Sequence, residues 1–190
     1  MMLSRPGRWL LAGLIALAVC SPALPAVPEY DLKAALLYKF TKFILWPNSA
    51  FSGPHGTLHL CVIGHDDFGG SIESLNGQKV QGQAIEIERL PEIKRSPAGT
   101  LTHCQIAFIG RSERERLPVI IEALSATPAL TVSDIDGFAG AGGMIGFVNV
   151  DSKIGFEINP AASRRAGIEI GAQLLQLSTV INEPRTEGRP

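Results

Sequence analysis

The sequence predicts an α/β layered sandwich with a mainly parallel mixed sheet, a C-terminal β-hairpin and flanking helices. Three observations carry that expectation. Short apolar runs of strand length, at residues 58–63, 105–109 and 129–132, alternate with helical patterns. The first two, LHLCVI and QIAFI, each stop at a glycine, Gly64 and Gly110. Residues 144–150 and 153–158 then flank Asp151-Ser152, the spacing of a tight hairpin.

Taken in order, residues 29–46 read as the first helix, with Asp31 as its cap and Pro47 as its stop. Leu32, Ala35, Leu36, Phe40, Phe43 and Ile44 recur at helical steps, and Lys33, Lys39 and Lys42 are expected to face water. Leu37 and Tyr38 widen the stripe, so the helix should be buried on more than one side. After the strand at 58–63, His65 to Gly70 makes a turn, residues 71–75 a short helix, and Asn76-Gly77 a second turn. Residues 84–90 alternate as a strand, with Ile85, Ile87 and Arg89 on one side and Glu86 and Glu88 on the other. A helix follows the strand at 105–109 over residues 111–125, and Pro118 suggests that its regular part begins there. The loop at 133–143 is rich in Asp and Gly. Asn159-Pro160 supplies a cap and a first-turn proline for a short helix ending at Gly167. A last apolar helix spans 172–181, and the polar tail at 183–190 is expected to be flexible.

The N-terminus sets the address. Arg5 and Arg8 precede an eleven-residue apolar run, WLLAGLIALAV, and a small-residue exit from Cys20 to Ala26. These are the three parts of a signal peptide at 1–26, with cleavage after Ala26 or Ala23. The run is shorter than the roughly 20 apolar residues that a membrane-crossing helix requires. Val19 before Cys20 argues against a lipidated cysteine; an uncleaved anchor is the other alternative. Removing the leader takes Arg5 and Arg8 from the 17 cations and none of the 18 acids, which leaves a net charge of −3. No basic cluster suggests nucleic-acid binding, and no second apolar run suggests membrane insertion. The remainder, residues 27–182, is the size of one domain with a hydrophobic core.

Two cysteines stay in that domain, Cys61 and Cys104. In an oxidising compartment they are a candidate bridge; the other reading is two buried free thiols. Catalytic chemistry finds little support. The glycines of residues 140–146 place Ile145 where a dinucleotide fingerprint needs glycine, and they lead into a strand. Asp134, Asp136 and Gly137 lack the further oxygen ligands of a calcium loop. No Gly-x-Ser-x-Gly places an activated serine. His55, His59 and His103 are scattered, so no zinc site is expected. No catalytic residue, cofactor or metal ligand is therefore assigned.

Three residues are candidates for a ligand or anion contact. His65 follows the first strand beside Asp66 and Asp67, at the end where open α/β sheets bind ligands. Arg164 and Arg165 either answer the helix dipole or fix an anion.

The chain resembles the YfiR family of periplasmic regulatory proteins. The resemblance rests on AALLYKF at 34–40 with KFI at 42–44 and Trp46-Pro47, on LCVIG at 60–64, and on CQIAFI at 104–109. It continues through LTVSD at 130–134, Gly137-Phe138, GGMIGF at 142–147, FEIN at 156–159 and Leu174-Leu175. It implies a regulator with no catalytic role. Such a protein binds and represses the periplasmic part of a membrane-bound diguanylate cyclase or similar sensor, and so affects cyclic-di-GMP and biofilm formation. It also implies a homodimer and a structural bridge at Cys61 and Cys104. Val150 and Asp151 stand where some members carry a second cysteine pair. Leu37, Phe40 and Ile44 become candidates for a partner or dimer surface, although the same residues suit a core. The rival readings are a periplasmic small-ligand binding module, which needs a pocket, and a hydrolase, which needs a nucleophile beside a base.

Overall fold

A computed structural model describes residues 27–51, 56–91, 99, 101–151 and 153–181. The expected leader (1–26), the tail (183–190) and His55 lie outside these residues. Helix α1 (Glu29–Thr41) leads to strand β1 (Ile44–Leu45). Strands β2 (Thr57–Ile63), β3 (Lys79–Val80), β4 (Gln83–Leu90) and β5 (Ile106–Ile109) follow. A 3-10 turn at Arg111–Arg116 runs into α2 (Leu117–Ser125). Strands β6 (Leu130–Ser133), β7 (Ile145–Val150) and β8 (Lys153–Ile158) precede α3 (Pro160–Arg165), β9 (Glu169–Ile170), α4 (Ala172–Gln176) and β10 (Thr179–Val180).

The main sheet has eight strands in the order β10-β8-β7-β6-β5-β2-β4-β3. From β7 to β4 every neighbouring pair is parallel. The β7–β8 hairpin and the β3–β4 pair are antiparallel. An α/β fold with a mixed, mostly parallel sheet flanked by helices is thus present. The sheet is curled towards a half-barrel, where the layered sandwich implied a flatter one; strand twist accumulates across so many strands.

Burial on both faces explains the apolar runs. Leu58, Leu60 and Val62 of β2 join Phe108 of β5 and Val132 of β6 in the larger core beneath α1. Cys61 and Ile63 point the other way, with Ala107, Ile109 and the Leu117–Ile120–Leu124 face of α2. Gly143 is required by packing: a Cβ there would lie 2.2 Å from the Phe138 ring. The glycine-rich loop is therefore a close-packed turn before β7.

Helix α1 corrects the sequence reading most. It ends at Thr41, whose Oγ1 donates to the Tyr38 carbonyl at 2.6 Å. Ile44 and Leu45 then pair antiparallel with β9. Pro28 occupies the N-cap position, and Asp31 accepts a hydrogen bond from Ser71 instead of capping. The buried face is Lys33, Ala34, Leu37, Phe40 and Thr41, while Leu32 and Ala35 are exposed. Lys33 is thus inside, contrary to expectation. The last helix is also shorter than residues 172–181, because Thr179 and Val180 extend to pair with β8. At α3 the local signals hold: Asn159 Oδ1 accepts from the amides of Ala161 and Ala162 at 3.1 and 3.0 Å. Gly167 takes the left-handed φ of +69° past the helix end.

Candidate functional site

The parallel strands release their chains at one edge of the sheet, the edge where open α/β sheets place ligand sites, and a cluster of charged side chains gathers there. Asp134 directly follows β6. Ser133 fixes its position, donating from Oγ to the Ile109 carbonyl at 2.6 Å and accepting from the Ile135 amide at 3.0 Å. Arg111 leaves the end of β5, and α1 lowers Tyr30 and Lys33 onto the same point. Lys33 Nζ lies 2.7 Å from Asp134 Oδ2, with both side chains buried, and 2.6 Å from Glu29 on the rim. Arg111 Nε approaches Asp134 Oδ2 at 3.3 Å. The Tyr30 phenol meets Asp134 at 2.8 Å and Asp67 at 3.0 Å, so its one proton lies between two carboxylates.

Burial and the two acidic neighbours push the Tyr30 pKa upwards, Asp134 contributing more than Asp67. The phenol therefore stays a donor. Lys33 also sits 4.2 Å from the centre of the Tyr30 ring, a cation–π contact that adds to its shielding. A buried ammonium is tolerated here because two carboxylates and a ring face surround it.

Beside this network opens a cavity of about 310 Å³. Lys33, Arg111 and Asp134 form its charged wall, and Phe147, Val148 and Ile154 of the hairpin supply an apolar one. Asp136 and Glu157 add acids at the rim. Its size falls at the small end of the range for ligand sites. The chemistry suits a small molecule with one charged end and an apolar body. It offers no activated nucleophile.

The sequence-based candidates lie elsewhere and are not brought together. His65 is exposed; its amide donates to Ser112 Oγ at 2.8 Å. Its neighbours are used structurally. Asp66 accepts from the Phe68 amide at 3.0 Å and pairs with Arg89, which also binds Glu73 and the Gly69 carbonyl. The Glu73 hydrogen bond is the main cause of a raised Arg89 pKa. Arg164 lines a shallow groove with Leu45 and Pro47, whereas Arg165 lines a separate crevice against α2.

Leu37, Phe40 and Ile44 are fully buried, which removes them as a monomer's partner or dimer surface. Phe40 is packed between Phe147 and Phe156, with ring centres 5.6 and 4.9 Å away. On α1 the apolar residues left exposed are Leu32 and Ala35, which the helical stripe had placed inside. Cys61 and Cys104 form a disulfide with Cα atoms 5.8 Å apart, joining β2 to the segment entering β5. The sequence points to the cavity only through scattered residues: Lys33 within the stripe of α1, and Asp134, Asp136 and Gly137 in the loop after β6.

Comparison with known proteins decides the family: residues 30–179 match the YfiR/HmsC-like family model. The chain belongs to the YfiR/HmsC-like family. Members of that family are periplasmic regulatory proteins linked to diguanylate-cyclase-type signalling, and this chain spans about 60% of the length of the solved structures it matches. No curated protein matches. Among solved structures, a conserved domain protein from Vibrio cholerae O1 biovar El Tor superposes with a TM-score of 0.54 at 9% identity. That match covers 82% of this chain and 60% of the other. An ABC domain from Streptococcus pneumonia, solved with L-Trp, gives 0.52 at 13% identity over 80% of this chain and 60% of the other. At such identities the likeness shows the fold alone. No helix among the described residues is long and apolar enough to cross a membrane.

Proposed function

We propose that this YfiR/HmsC-like protein represses a membrane-bound diguanylate cyclase, or a similar sensor, by binding its periplasmic part. The supporting observation is the family match over residues 30–179, from the first turn of α1 to the start of β10. Residues 1–26 serve as the leader that delivers residues 27–182 to the periplasm. The working form is a homodimer. The partner surface draws on apolar side chains left in solvent, among them Leu32 and Leu45. Deleting the gene should raise cellular cyclic-di-GMP, and restoring the secreted chain should lower it again. Unchanged cyclic-di-GMP in the deletion strain would refute the repressor reading.

The cavity at the strand ends favours a second, compatible role: a small ligand seated against Lys33, Arg111 and Phe147 modulates that repression. Isothermal titration of charged, partly apolar metabolites against the wild type and Arg111→Ala tests it. Specific binding should weaken in the variant. Equal binding to both would place the ligand elsewhere.

A further inference from the structure

The disulfide has company that a structural staple does not need. His103 Nε2 lies 3.9 Å from Cys61 Sγ, and the ligand atoms of Cys61, His103 and Cys104 all fall within 4.8 Å of one another. Glu88 stands opposite Cys61 in the β2–β4 register, and its Oε2 is 2.6 Å from the same histidine nitrogen. His59, two residues before Cys61 on β2, puts its ring edge-on to His103 with centroids 5.4 Å apart. Two sulfurs, imidazole and carboxylate are thus gathered on one face of the sheet.

We propose that the reduced chain carries a zinc-type metal site built from Cys61, Cys104 and His103, with Glu88 placed to take the fourth position. In the oxidised chain the sulfurs are bonded to each other and offer no thiolate. A dithiol reductant supplies two electrons and two protons; the S–S bond breaks, two thiols form, and the reductant becomes a disulfide. A divalent cation then displaces both thiol protons, forming two metal–sulfur bonds. The His103 ring shifts its proton from Nε2 to Nδ1 as the hydrogen bond to Glu88 is released, and the unprotonated Nε2 provides the neutral third ligand.

Geometry favours closure of this set. In a tetrahedral zinc site, Zn–S of about 2.3 Å and Zn–N of about 2.0 Å put neighbouring ligand atoms roughly 3.5–3.8 Å apart. The His103 nitrogen already lies close to that separation from Cys61. The strands hold the cysteines in place without the bond, since Leu60 pairs with Ile106 and the Gln105 amide donates to the His59 carbonyl at 3.0 Å. The His103 side chain is 41% exposed, which leaves an entry path from solvent. A sulfur–nitrogen donor set selects zinc over calcium or magnesium. Disulfide and metal would then be alternative locks on the same pair of strands. This inference does not rest on the repressor reading.

The test uses the purified secreted chain, oxidised or reduced anaerobically with a phosphine, and titrated with Zn²⁺ against a chromophoric chelator. One Zn²⁺ should bind per reduced chain and none per oxidised chain. Co²⁺ in place of Zn²⁺ should give a sulfur-to-cobalt charge-transfer band. His103→Ala, which removes a proposed ligand, should weaken Zn²⁺ binding by at least about tenfold, the smallest loss seen even for a group that only supports a ligand. Circular dichroism follows the fold in parallel; a reduced chain that unfolds should refold on adding Zn²⁺. Equal binding by oxidised and reduced protein, wild-type affinity in His103→Ala, or failure of Zn²⁺ to restore a lost fold would each overturn the proposal.

Discussion

The two ends of the parallel sheet are held by opposite kinds of chemistry. Where the strands finish, a buried ion pair, Lys33 with Asp134, is ringed by Tyr30, Arg111 and Glu29 and opens on a cavity. Where β5 begins, a covalent bridge ties Cys104 to Cys61 in a compact apolar cluster. The bridge constrains the chain whatever the pH. The ion pair depends on charge, and each member is costly once the other is gone. The small ligand proposed above would seat at the electrostatic end, and the proposed redox-dependent metal site at the covalent end.

The sharpest way to break this contrast is to remove one partner of the pair. Asp134→Ala leaves the Lys33 ammonium buried and should cost about 3–5 kcal/mol in a urea unfolding curve. The double variant Lys33→Met with Asp134→Leu should recover part of that loss, because no buried ammonium is left unpaired, while Tyr30, Arg111 and Glu29 still lose a partner. A next-largest effect comes from the other end. Cutting the disulfide, which spans 43 residues, should cost about 4 kcal/mol on the chain-entropy account. Melting Cys61→Ser/Cys104→Ser beside the wild type measures it.

Helix α1 supplies an internal control. Leu37→Ala, fully buried, should lose about 2–5 kcal/mol. Leu32→Ala, 40% exposed, should change stability by no more than about 0.5 kcal/mol. Similar losses at both positions would contradict the register assigned to this helix.

The smallest effect is a pH dependence. The folded state raises the Tyr30 pKa above its ordinary 10.0, so above that pH the unfolded chain releases this proton more readily than the native one. Stability from this group is complete below pH 10 and declines as pH rises further. Tyr30→Phe should flatten that alkaline decline in a series of unfolding curves.

The same contrast explains what could be read from the sequence. Signals completed within a few residues survived folding: the Asn159-Pro160 cap, the pairing of the two hairpin strands, and strands marked by apolar runs. The cysteine pair was legible because the domain has only two. Lys33 was misplaced because its partner, Asp134, lies a hundred residues away, and only the tertiary fold makes its burial favourable. Helical spacing alone therefore puts the apolar stripe of α1 out of phase, with Leu32 inward and Lys33 outward, the reverse of their burial. The two-residue strands β1, β3, β9 and β10 carry no period to detect; pairing alone defines them. The cavity combines α1, two strand ends and the hairpin, so no single segment announces it.

The regulatory role is tested most directly by affinity capture of the secreted chain from detergent-solubilised membranes. The account predicts recovery of a membrane protein joining a periplasmic segment to a cytoplasmic diguanylate cyclase or comparable signalling domain, whose activity falls when the chain is added back. Recovery of no such protein, or a recovered cyclase whose activity is unchanged by the bound chain, would contradict it.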